Sequence, residues 1–79
     1  METITDKMER LRLKAELFLS EDTPVFIKTY SNDWFWGDII IVGEKKITID
    51  NIRGKRKGIR DSLLFLDIDE LEKDEGEIE

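Results

Sequence analysis

The chain has no cysteine and no histidine. Without thiols there is no disulfide to staple the fold and no thiolate metal cluster. Without imidazole, Ser–His triads and Cys–His pairs are excluded. Metal binding then falls to carboxylates alone, which suit hard ions such as calcium or magnesium. A carboxylate-pair enzyme needs two acids held in a cleft with separated pKa values, and 79 residues leave little room for a cleft. The expectation is a non-enzymatic protein with no cofactor, no metal and no small-molecule substrate. Glutamine is also absent, and asparagine occurs only at Asn32 and Asn51, whereas isoleucine occurs eleven times and charged residues make up 41%. Few thermolabile side chains with abundant Lys, Glu and Ile resemble a thermophile's composition. No apolar run approaches the ~18 residues of a membrane span, and "METITDKMERLRLK" has no apolar core of a signal peptide. A cytoplasmic protein away from membranes is expected.

One domain accounts for the length. A chain this short buries only about 60–65% of the surface its unfolded form exposes. Ordering costs roughly 1.5 kcal/mol per residue and nearly cancels the burial gain. With disulfides and metals excluded, the remaining staples are self-association and a docked helix.

Residues 3–19 read as that helix. Ile4, Met8, Leu11, Ala15 and Phe18 recur at steps of four, three, four and three, which is one helical face. Thr3 or Thr5 is placed to cap it, with Asp6 and Glu9 in the first turns. Leu13, Leu17 and Leu19 widen the stripe near its end. The stripe packs on the rest of the domain or grips a partner chain. "SEDTP", residues 20–24, is the connector, since Pro24 disfavours helix at Thr23.

From Pro24 to about residue 72 the signals are those of strands. "VFIKTY" (25–30) is β-branched and aromatic. "SND" is a tight turn, because Asn and Asp tolerate left-handed backbone. "WFWGDIIIV" (34–42) is the second strand, and its interior Gly37 marks a sharp bend, a bulge or a close backbone approach. "KITIDNI" is the third strand. "RGKRKG" (53–58) is a glycine-flanked basic loop, "SLLFLDI" (62–68) the fourth strand, and "DELE" leaves room for a short fifth. Residues 73–79 form an acidic tail. Short strands at roughly ten-residue spacing suggest a small barrel or sandwich.

This order resembles the Sm-like (LSm) family, in which an N-terminal helix is stacked on a strongly bent, five-stranded antiparallel barrel of SH3-like size. "PVFIKTYSNDWFWG", Pro24 to Gly37, looks like the family's opening motif: a β-branched strand, a polar turn, an aromatic and a bending glycine. In that register Val25, Ile27 and Phe35 face the core and Gly37 falls at the bend. "DSLLFLDIDELE" (61–72) looks like the fourth strand, short turn and fifth strand. The resemblance implies an α+β single domain, with helix 3–19 and barrel 24–72. It also implies assembly by pairing the fourth strand of one subunit with the fifth of the next, through residues 62–72. The family's uridine-binding residues do not carry over. The loop after the second strand is "VGEKK" and holds no Asp–Asn pair. "LDID" stands where the family's Arg–Gly would be, and the "IRG" at 52–54 lies before the fourth strand.

If Phe35 points inward, Trp34 and Trp36 point outward. The helix or a neighbouring subunit covers them, or they form a platform for a partner, since Trp stacks on nucleobases and anchors protein interfaces. Charge is split. Residues 53–60 carry five positive charges and no negative one, and residues 67–79 carry eight acids and one lysine. The basic loop is a solvated tip, or it holds phosphates through side chains and backbone amides, or it meets the acidic tail of another subunit. A net charge of −6 opposes non-specific nucleic-acid binding. Two functions stay open. One is an oligomeric module binding single-stranded RNA through Arg53, Lys55, Arg56, Lys57 and Arg60, with Trp34 and Trp36. The other is a protein-interaction or assembly module that binds no RNA.

Overall fold

The structure, a computed structural model, describes residues 2–74. The acidic tail therefore lies, beyond Asp74, outside the described residues. Helix α1 (Ile4–Ser20) precedes five strands, β1 (Val25–Thr29), β2 (Trp34–Val42), β3 (Lys46–Asn51), β4 (Arg60–Leu64) and β5 (Ile68–Lys73). The fold is α+β, with one antiparallel sheet in the order β4–β3–β2–β1–β5.

Thr3 is the helix cap. Its hydroxyl accepts from the Asp6 N–H at 3.0 Å, which satisfies one of the free donors of the first turn. Leu11, Ala15 and Phe18 are buried and Met8 packs against the same core. The apolar stripe is narrower than the periodicity suggests. Ile4, Leu13, Leu17 and Leu19 stay exposed. Lys14 reaches Glu72 of β5 at 2.7 Å and ties helix to sheet.

Strand β2 changes partner at one residue. Gly37 pairs with Val25 on one side and Asn51 on the other. The strand before it, Trp34–Trp36, lies along β1, and the strand after it lies along β3. A Cβ at Gly37 would sit 2.9 Å from the Asp50 carbonyl carbon and 3.1 Å from Asn51 Cα. Both are backbone atoms of β3, so the close approach requires glycine. An irregularity at Ile39–Ile41 adds further local twist.

The fourth strand ends earlier than its apolar run suggests. It stops at Leu64, and Phe65–Asp67 form a 3-10 turn before β5. That turn connects the two outermost strands of the sheet. In a flat sheet these edges would be about 19 Å apart, four spacings of about 4.8 Å. The four residue steps from Leu64 to Ile68 reach at most about 14 Å. The sheet must therefore curl, and fully buried Phe65 and Ile68 fill its concave side with Val25, Ile27, Ile47, Ile49 and Leu71. Within the described residues β4 and β5 do not pair with each other, so the sheet remains open along these two edges.

Candidate nucleic-acid interface

β1 alternates cleanly, with Val25, Ile27 and Thr29 buried and Phe26 and Lys28 on the other face. β2 continues the rule across the turn. Phe35 packs against the core, and Trp34 and Trp36 stand beside Phe26 on the convex face. The Phe26 ring centroid is 5.1 Å from that of Trp34 and 5.9 Å from that of Trp36, with both pairs tilted. Helix α1 packs on the opposite, concave side, where Leu11, Ala15 and Phe18 join the core.

The two indoles differ. Trp34 is 48% exposed, whereas Trp36 is half-buried. The cover over Trp36 is the basic loop. The Ile52 N–H donates to the Trp36 carbonyl at 2.8 Å, bringing the end of β3 alongside β2. Gly54 then takes the left-handed conformation, φ +87°, and a Cβ there would touch the Trp36 ring at 3.5 Å. Arg53 lies over the same ring at 5.8 Å, and Lys28 lies over Trp34 at 5.5 Å. At partly exposed sites each such cation–π contact contributes about 0.5–1 kcal/mol.

A groove of about 660 Å³ runs between the β1–β2 turn and this loop. Trp34, Trp36, Arg53, Lys55 and Arg56 line it, so two segments far apart in sequence meet there. Lys57 and Arg60 belong to the same loop region but do not line the groove. Asn32, Asp33, Asn51 and Asp61 line it as well.

Carboxylates already meet two of the cations. Arg53 donates from Nη2 to both oxygens of Asp74, one at 2.6 Å. Arg56 forms a fork with Asp61, both contacts at 2.6 Å. Buried Asn51 donates from Nδ2 to Asp61 at 2.8 Å and to the Ile59 carbonyl at 2.7 Å, which fixes the base of the loop. The hydrogen bond from Arg56 holds the Asp61 carboxyl below the usual aspartate range; partial burial opposes it, and Asn51 adds to it. The same pair raises the Arg56 pKa. Lys55 and Lys57 have no ion pair among the described residues.

Sequence reasoning named both tryptophans and the loop cations but missed Phe26, Lys28, Asn32, Asp33, Asn51, Asp61 and Asp74. The alternation of "VFIKT" was the signal for Phe26 and Lys28. No family model, no curated protein and no solved structure matches this chain. Among the described residues no three His, Cys, Asp or Glu side chains are grouped to hold a metal ion, and no helix is long and apolar enough to cross a membrane.

Proposed function

We propose that the chain is a small nucleic-acid-binding module that takes single-stranded RNA in the groove between the β1–β2 turn and the β3–β4 loop. The observation that carries this reading is the meeting of Trp34 and Trp36 with Arg53, Lys55 and Arg56 in one groove. Binding of single strands combines a basic track for the backbone with aromatic faces for the bases. Lys57 and Arg60 extend the basic side beyond the groove. The module acts as an Sm-like oligomer in this reading. The helix, the turn at Gly37 and the strand order are compatible with a bent barrel, and β4 and β5 are the two edges free to pair with neighbouring subunits.

One observation favours a second reading, a protein-interaction or assembly module that binds no RNA. The forks Arg53–Asp74 and Arg56–Asp61 already neutralise two loop cations, and the chain as a whole carries −6.

Lys55 and Lys57 separate the two readings, because replacing them by Ser breaks no ion pair within the described residues. Fluorescence anisotropy of a labelled single-stranded RNA across a salt series is the measurement. The RNA reading expects weaker binding at an unchanged melting temperature. The slope of log affinity against log salt should fall by about 0.7 for each phosphate that the variant no longer neutralises. Wild-type protein without measurable affinity at low salt, together with an oligomer size that changes when the loop is altered, would replace it with the assembly reading.

A further inference from the structure

The groove has two kinds of polar group. Asp61, Arg53, Arg56 and Asn51 are engaged with one another or with Asp74 and the Ile59 carbonyl. Lys55, Asn32 and Asp33 also line the groove, and none of their side chains has a partner among the described residues. Lys55 stands on the loop side. Asn32 and Asp33 stand in the β1–β2 turn, immediately before Trp34.

That turn is held by its backbone. The Asp33 N–H donates to Thr29 Oγ1 at 3.1 Å, and the Asp33 carbonyl accepts from the Thr29 N–H at 3.0 Å. The Asn32 N–H donates to the Thr29 carbonyl at 3.0 Å, with Asn32 itself in the left-handed region at φ 67°. Thr29 is buried and belongs to β1. The main chain of the turn is therefore fixed while the carboxylate and amide remain free for a ligand.

We infer that the groove selects guanine: the base stacks on Trp34, Asp33 accepts from its N1–H and 2-amino group, and Asn32 donates to O6. The inference rests on the RNA reading above and gives it a base preference. An ionised carboxylate only accepts hydrogen bonds, and it accepts two parallel donors best. Among the four bases only guanine presents two adjacent donors, N1–H and N2–H, on its pairing edge. Adenine and cytosine present one amino group next to a ring acceptor that a carboxylate repels. Uracil presents one N–H between two carbonyls, both of which a carboxylate repels. Unpaired bases in RNA are read on this edge while stacked on aromatic side chains. Trp34 is the more exposed indole and the one next to Asp33. Lys55, across the groove, is left to meet the phosphate.

The test is anisotropy with labelled heptanucleotides of uridine that carry G, inosine, A, C or U at the centre. Wild-type protein should bind the G heptamer about tenfold more tightly than the A, C and U heptamers, within the range of a bidentate base contact. Inosine, which lacks the 2-amino group, should fall between. Asp33→Asn should remove the preference, by lowering affinity for the G heptamer and raising that for the all-uridine heptamer, whose carbonyls the carboxylate repels. It should leave the melting temperature unchanged, because the backbone bonds to Thr29 remain. Equal affinity for all five would overturn the guanine selection while the RNA reading stands. A preference that survives in Asp33→Asn would overturn the role of Asp33. No binding to any heptamer would overturn both.

Discussion

Strands β1 and β2 present two unlike surfaces from one backbone. Toward the helix go Val25, Ile27 and Ile39, aliphatic and at most 5% exposed. Away from it go Phe26, Trp34 and Trp36, with Lys28 and Arg53 over the indoles. Branched aliphatic chains fill a concave space in few rotamers, which a small core needs. Flat rings offer a face, and a face has value only where something planar or cationic can reach it. The contrast shows that the period-2 alternation separates an aliphatic, buried side from an aromatic, partly exposed one.

The comparison is sharpest in a pair of truncations. Ile27→Ala should lose about 2–5 kcal/mol of stability, the usual range for emptying a closed core site. Trp34→Ala should cost less, about 1–2 kcal/mol, because it loses only the Phe26 ring contact and the Lys28 cation–π contact. On the RNA reading it should weaken binding of single-stranded RNA by about 1–3 kcal/mol by removing a stacking face. Urea denaturation and anisotropy on the same two proteins check this. A large stability loss from Trp34→Ala would make the convex face a second core. Gly37→Val strikes where the two surfaces join. The added side chain meets β3 backbone that has no rotamer to move, so the loss should reach about 2–3 kcal/mol, above the ordinary 0.5–1 kcal/mol of a glycine change. A neutral result would mean that β2 and β3 can separate at little cost.

The smallest expected effect is in pH. Asp61 has a folded pKa held below its unfolded one by Arg56. Its contribution is therefore complete above the unfolded aspartate range, near 3.9, and is lost as pH falls through the lower folded value. The stability gap between wild type and Asp61→Asn should be flat from pH 7 to 5 and shrink below about pH 4. Denaturation midpoints for both proteins at each pH measure it. A gap independent of pH down to 2.5 would remove the ionic account of the loop base.

Much of the fold was legible because local rules agreed with it. The 3.6 period placed the helix, alternation placed Phe35 inside and both tryptophans outside, and a lone glycine inside a strand marked the close approach of β2 to β3. The end of β4 was not legible. "SLLFLDI" contains no glycine or proline, its polar Asp67 comes only at the end of the turn, and the 3-10 turn within it is imposed by the short reach from one sheet edge to the other. The candidate site was half legible. Composition revealed the basic loop, but not that Asp74, 21 residues beyond Arg53, directs its charge onto it. Asn32 and Asp33 were read as turn formers only, since their place on the groove wall depends on where residues 53–56 return.

The unequal cover of the two indoles has an optical consequence. Trp34 meets water, and Trp36 lies under Gly54 and Arg53. Indole emission moves to shorter wavelength as water is removed, so the protein's fluorescence is a sum of a redder and a bluer component. Trp34→Phe and Trp36→Phe isolate them. A ligand that contacts the turn dims the red component, and one that lifts the loop shifts the blue component toward the red. One end of the groove can thus be watched independently of the other without attaching a dye.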